Sequence, residues 1–241
     1  MYPIMTEAEK YILNYGKGRK QFSYSELKAS TEEFGSSYIN WTLVQLVEKG
    51  ELVRVGHGIY AISDVEEFDY VPDEATIRLY DYLTKEFPRQ SFCVYKGEIL
   101  NPLLDTPGIN ALTYVETDRS RTEIVFRKLQ ADGEKVFHKP SRQVLKDYVN
   151  VSSPSVIVRP LITDSPLLYI DGIECPSIEK LLIDVRREHD FDYLGQSQKS
   201  AMLRTALQNF AVNRSTLLRY AGRRGIFEEI QRELESQDIR P

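Results

Sequence analysis

Cysteine is close to absent from this sequence: Cys93 and Cys175 are the two in 241 residues, isolated and far apart. That excludes a disulfide framework and the paired spacing of a structural zinc site, and it leaves two buried free thiols as the expectation. Histidine is almost as scarce. His57, His138 and His189 have no partner at ligand spacing, and neither a G-x-S-x-G elbow nor a Cys/His pair marks a nucleophile. The sequence therefore predicts no metal site, no cofactor and no enzyme. Long hydrophobic runs are missing too, since none approaches eighteen residues. The opening MYPIMTEAEK carries acids where a secretory leader needs a basic start and an apolar middle, so a cytoplasmic protein with no membrane partner is expected. Nor is there an excess of positive charge. With 31 Lys and Arg against 36 Asp and Glu, the net charge of −5 excludes a surface that adheres to nucleic acid everywhere, although it permits a local basic face.

What is present is enough apolar content, 41%, to bury a core, on a length that suits two domains of ordinary size. No internal repeat or low-complexity segment is visible. TEAEKYILNYG, from Thr6, combines a capping Thr, acids in the first turn and apolar residues Ala8, Tyr11, Ile12 and Tyr15 at helical spacing, ending at Gly16. GKGRKQFS is a polar turn into a short extended piece at Phe22, and YSELKAS makes a brief second helix. In SSYINWTLVQLVEKG, Ile39, Leu43, Leu46 and Val47 share one sector of a helical wheel, while Ser37, Trp41, Gln45 and Glu48 lie opposite. Gly50 ends this helix, and ELVRV and IYAI flank a Gly56-His57-Gly58 tip as two strands of a hairpin. Helix, short strand, helix, helix, hairpin is the order of a winged helix-turn-helix with the ribbon as its wing.

From Ser63 the composition shifts. SDVEEFDYVPDE holds six acids and no base and reads as a solvated linker, with Pro72 ahead of a helix from about residue 73 to 87. A domain boundary is expected near residue 70, giving residues 1–70 and 71–241. SFCVYKGEIL, ALTYVETD, EKVFHKP and SVIVRPLI read as strands of one small sheet over about 90–170, with helices in RSRTEIVFRKLQA and SRQVLKDYVN between them. Over about 175–241, PSIEKLLIDVRREHD, QSQKSAMLRTALQNFAV, NRSTLLRYAGRRG and IFEEIQRELESQ are all helical. The expected class is α+β: a winged helix followed by a mixed domain that ends in a helical subdomain.

A recognition helix in such a domain meets the major groove with its N-terminal part. Ser36, Ser37, Asn40, Trp41 and Gln45 are the outward candidates. Asn and Gln suit adenine edges, and Ser suits phosphate. Lys17, Arg19 and Lys20, with Arg54 and His57 on the wing, are candidates for the phosphate backbone. Against them stands a balance of seven Lys or Arg and seven Asp or Glu over residues 1–62, which makes the domain formally neutral, weakens the DNA reading and leaves a protein-contact module as the alternative. GKGRK at Gly16 does not link a strand to a helix as a phosphate loop does, and it reads as a plain turn. Asp190 and Asp192 in HDFDY read as a helix-end turn rather than a cation site. Glu174, Glu179 and Lys180 invite comparison with a nuclease site, but Ser177 followed by Ile178, Leu181, Leu182 and Val185 looks first like a capped amphipathic helix. Arg204, Arg214, Arg219, Arg223 and Arg224 gather guanidiniums within a few turns. They either pair internally, with acids such as Asp184 or Glu228, or offer a surface to an acidic partner or nucleic acid.

GHGIY, SFCVYKGEILNPLL, PSIEKLLIDV and NRSTLLRYAGRRG together carry a resemblance over essentially the whole chain. The sequence resembles bacterial AbiEi-like antitoxins of abortive-infection, type IV toxin-antitoxin systems. That resemblance implies an N-terminal domain that binds double-stranded promoter DNA and represses its own operon, and a C-terminal domain that counteracts a nucleotidyltransferase-like toxin without a stable complex. Residue by residue, it puts Ser37, Asn40, Trp41 and Gln45 on the recognition helix, Arg54 and His57 on the wing, and Asn213, Arg219, Arg223 and Arg224 in the C-terminal motif. The neutral N-terminal domain departs from the family's basic one. Two alternatives stay open: a stand-alone regulator whose mixed-sheet region senses a ligand, and a nuclease or nucleotidyltransferase-like enzyme whose acids, such as Asp105, Glu116, Asp118 and Glu123, would have to converge.

Overall fold

A computed structural model describes residues 5–19, 21–63 and 66–238. Thr6 starts the first helix, α1 (Glu7–Gly16): its hydroxyl accepts from Glu9 N at 3.2 Å, and the Glu9 carboxylate accepts from Thr6 N at 2.7 Å. Two amide donors that a helix start leaves bare are thereby satisfied. Ser23 and Glu26 repeat the device for α2 (Tyr24–Ala29), directly after the short β1 (Phe22–Ser23). In α3 (Ser36–Glu48) the three- and four-residue spacing of Ile39, Thr42, Leu43 and Leu46 makes a single buried stripe. That stripe packs on Ile12, Phe22, Leu27, Leu52 and Tyr60. β2 (Leu52–Gly56) and β3 (Ile59–Ile62) form the antiparallel hairpin, with His57 and Gly58 at its turn, and β1 pairs with the other edge of β3 to give the order β1-β3-β2.

Beyond α4 (Glu74–Glu86), β4 (Phe92–Lys96), β5 (Leu112–Thr117), β6 (Val136–His138) and β7 (Ser155–Pro160) build a sheet of order β4-β5-β7-β6. β5, β7 and β6 run parallel, and β4 is antiparallel at the edge. Successive side chains of a strand face opposite ways. Phe92, Val94, Val115, Val156 and Val158 therefore meet α4 and α5 (Thr122–Ala131) on one face. Tyr95, Tyr114 and Ile157 face the other way, into the largest core, under α7 (Ile178–Arg187), α8 (Gln196–Asn209), α9 (Arg214–Arg223) and α10 (Phe227–Asp238). The short α6 (Arg142–Tyr148) sits against a 3-10 turn at His189–Phe191. Among the described residues the fold is mixed α+β. Both cysteines are buried and free, as expected.

Three features differ from the sequence reading. One sheet is expected in the second half, yet a separate hairpin, β8 (Leu167–Ile170) and β9 (Ile173–Pro176), packs beside β4. Its turn is Asp171-Gly172 at φ 49° and 89°, the left-handed pair that matches the twist of a two-residue hairpin. The acidic run after Ser63 is not simply a solvated linker. Glu66, Glu67 and Asp69 are exposed, but Phe68 and Pro72 are buried, Glu66 forms a parallel bridge to Phe210, and the Phe68 and Phe210 rings meet edge to face at 5.3 Å. Finally, α7 is the expected amphipathic helix capped by Ser177, but its polar face is not solvated: every residue from Ile178 to Val185 is buried, including Glu179, Lys180 and Asp184.

Candidate functional site

Two places concentrate chemistry: the outer face of α3, and a charged cluster under α7. On α3, Ser36, Ser37, Asn40 and Trp41 are exposed, while Gln45 is half-buried and donates from Nε2 to the Glu48 carboxylate at 3.0 Å. The hairpin turn comes close to the start of this helix through α2. Tyr24 N donates to Gly58 O at 2.8 Å and the Tyr24 hydroxyl donates to Ser36 O at 3.4 Å, so exposed His57 and the first turn of α3 flank the same short helix. Lys17 is exposed. Arg19 is exposed as well, but its guanidinium lies 4.1 Å above the Tyr15 ring and donates to Tyr15 O. Arg54 is exposed, donates to Gly56 O at 3.3 Å, and borders a cleft shared with Phe210 and Arg214. Lys20 lies outside the described residues. The wheel missed how apolar this face is: Tyr38, Trp41 and Val44 are 41%, 53% and 52% exposed, with the two rings stacked at 6.0 Å.

Under α7 the period-two alternation aims Tyr95, Glu116 and Arg159, from three adjacent strands, at the helix bundle. Arg159 donates to Glu116 through Nε (3.0 Å) and Nη2 (2.8 Å), and to Asp190 through Nη1 (2.7 Å). Its guanidinium is flanked by the rings of Tyr114, at 4.9 Å, and Phe191, at 5.4 Å. Lys180 bonds Asp184 one turn along α7 and stands 2.6 Å from the second oxygen of Glu116. Asp184 also accepts from the Tyr220 hydroxyl at 2.9 Å and meets Arg224 Nε at 3.3 Å. Three cations and three carboxylates are thus closed off together, and all but Arg224 lie among the buried residues. Burial alone would discharge Lys180, but Asp184 and Glu116 outweigh it and hold the ammonium above its usual range. The same balance works in reverse at Asp184: burial raises its pKa, and Lys180, Arg159 and Arg224 bring it below the usual carboxylate range. Burial pushes Asp190 up, against the pull of Arg159.

The profile of a protein family described as "Family of unknown function (DUF6577)" matches residues 38–240. The chain belongs to this family. A search among curated proteins finds no match. The DUF6577 match begins inside α3 and takes in the hairpin, the whole buried cluster and nearly all that follows, while α1, β1 and α2 precede it.

Within the DUF6577 region, the C-terminal arginines split in two. Arg224 is mostly buried and pairs with Asp184 and Glu188, so it takes the internal alternative rather than lying on a partner surface. Asn213 caps α9 by accepting from Thr216 N at 2.9 Å, and its own amide donates to Glu179. Arg223 pairs with Asp164 at the surface, Arg214 is half-buried in the cleft beside Arg54, and Arg204 and Arg219 are exposed. Of the acids an enzyme reading needs to converge, Glu116 is locked in the cluster, Asp105 and Asp118 are exposed, and Glu123 pairs with Arg127 on the outside of α5. Glu174 lies on β9 while Glu179 and Lys180 bond different partners, and Asp190 and Asp192 bond Arg159 inside and Arg142 outside. Among the described residues, no three His, Cys, Asp or Glu side chains are placed to hold one metal ion.

Proposed function

We propose that this protein is a transcriptional autorepressor and antitoxin of the AbiEi type, in which residues 1–70 are a winged helix-turn-helix that binds its own promoter and residues 71–241 counteract a nucleotidyltransferase-like toxin. The observation that carries this reading is the exposed N-terminal half of α3: Ser36, Ser37 and Asn40 face solvent among the described residues, with the hairpin turn close by. A duplex needs that access to meet a helix in its major groove. Element order α1-β1-α2-α3-β2-β3 and sheet order β1-β3-β2 agree with a wing behind a recognition helix. A cytoplasmic location belongs to the same proposal; among the described residues no helix is long and apolar enough to cross a membrane.

The test is binding of the full chain to labelled duplex from the promoter of its own operon, followed over a range of salt. Phosphate contacts release counterions, so the logarithm of affinity falls linearly with the logarithm of salt. Changing Lys17, Arg19, Lys20 or Arg54 singly to Ala is expected to flatten that line by about one unit for each residue on the backbone. Asn40→Ala is expected to cost about 1–3 kcal/mol on the operator and little on unrelated duplex. An unaltered slope in all four variants removes them from the interface. A second reading rests on Tyr38, Trp41 and Val44, an apolar strip on a formally neutral domain that suits a protein contact. Failure to bind promoter duplex even at low salt favours it. On the antitoxin side, a nucleotidyltransferase-like reading frame adjoining this gene, toxic alone and harmless beside it, is the expected outcome.

A further inference from the structure

A cleft of about 600 Å³ opens between α6 and the turn after His189, within the size range that encloses a small organic molecule. Leu145 of α6 and Val149, the residue that follows the helix in extended conformation, begin an apolar wall along the cleft, and Val151 and the Tyr193 ring complete it. Arg142 and Lys146, four apart, set a cationic stripe beside that wall on the same short helix.

Both acids that line the cleft are already answered. Asp190 is buried and accepts from Arg159 Nη1 at 2.7 Å, and Asp192 accepts from Arg142 Nε at 2.9 Å. The cations are not used up in the same way. Arg142 donates through Nε to Asp192 and His189, which orients the guanidinium, while its two terminal nitrogens make no bond among the described residues. Lys146 forms no ion pair among the described residues. A guanidinium with a free outer edge suits a planar carboxylate.

We propose that this cleft binds a small organic monocarboxylate with an apolar body, its carboxylate on Arg142 and Lys146 and its body against Leu145, Val149 and Tyr193. The assignment is independent of DNA binding by α3 and of toxin antagonism, and it gives the mixed domain a ligand of its own.

The experiment titrates the isotope-labelled full chain with 2-naphthoate, its neutral counterpart 2-naphthamide, and inorganic phosphate, following amide and methyl resonances. The expected result is saturable shifts confined to residues 142–151 and 189–193. The naphthoate should bind about tenfold more tightly than the amide, as one charge-assisted hydrogen bond provides. Phosphate alone should give no saturable shift there. Val149→Trp, which fills the cleft, should abolish binding in a chain that still melts cooperatively. Lys146→Glu, at an exposed position with no ion pair among the described residues, should weaken the acid about tenfold and leave the amide unchanged. Equal affinity for acid and amide, shifts elsewhere on the molecule, full binding by Lys146→Glu, or full binding by a Val149→Trp chain that melts cooperatively overturns the proposal.

Discussion

Glu116 is the residue on which the buried cluster turns. One of its oxygens accepts from Arg159 twice, and the other faces Lys180. Removing one partner of a buried pair leaves an uncompensated charge in a place that water cannot reach, which costs far more than the pair contributes over a well-packed apolar substitute. Glu116→Gln is therefore expected to lower stability by about 3–5 kcal/mol in urea denaturation, with little change in the shape of the folded chain. A loss below about 1 kcal/mol would mean that Asp184 and Asp190 neutralise both cations without it. None of this was visible as a cluster in the chain order, because Glu116 and Arg159 lie 43 residues apart and Arg159 and Asp190 lie 31 apart. The hints were local. A Glu ends the apolar run LTYV and an Arg follows SVIV, and a charged residue inside a buried strand requires a partner. Lys180 and Asp184, spaced four apart on a helix already assigned, were a pair waiting to be recognised.

At the level of elements, periodicity and caps revealed most of the secondary structure. Thr6, Ser23, Asp73, Ser141 and Ser177 each start a helix through a side-chain cap. The β8–β9 hairpin escaped because its strands are short and its outer face is mixed, although Asp171-Gly172 was a legible turn signal. What α3 exposes was legible only in part, since its polar positions were foreseen and its apolar strip of Tyr38 and Val44 was not. Among the caps, Asp73 permits a sharp test. It accepts from Thr76 N at 2.9 Å and pairs with Lys96 of β4, tying the start of α4 to the sheet. Burial works against its charge, but the hydrogen bonds from Lys96 and Thr76 prevail and bring the carboxyl down to about 2. A depressed carboxyl stabilises the fold above its unfolded pKa of about 3.9 and loses that contribution as pH falls toward about 2. Asp73→Ala should cost about 1 kcal/mol at neutral pH through the lost cap. Asp73→Asn keeps the cap and loses the charge. Its deficit against the parent should be small at this half-exposed site, constant at neutral pH, and close between pH of about 4 and 2. A deficit that does not vary with pH would show that the Lys96 pair is not felt.

On the scale of the whole molecule, the apolar residues divide into one cluster drawn from residues 12–60, a second of similar size between α4, α5 and the sheet, and a third, much larger one drawn from residues 68–234. Two backbone contacts among the described residues help to join the first to the rest. Glu66 exchanges backbone hydrogen bonds with Asn209 and Ala211, both at 2.9 Å, and the corner between α3 and β2 rests on the chain at Ala211. Gly50 makes that corner. It sits at φ 80°, and a Cβ there would come within 3.2 Å of the Ala211 and Val212 backbone. Gly18 has nearly the same φ, 77°, with nothing within 4 Å of its Cβ position. The two glycines therefore separate backbone strain from the junction contact. Gly18→Ala should cost about 1 kcal/mol, the left-handed penalty alone. Gly50→Ala should cost that and about 1–2 kcal/mol more from the crowded backbone, and it should speed proteolysis around residues 63–72 where Gly18→Ala does not. Equal losses from the two variants, with unchanged cleavage, would mean that the helix-and-hairpin unit is carried by the peptide connection alone, and that its contact with the end of α8 contributes nothing to holding the halves together.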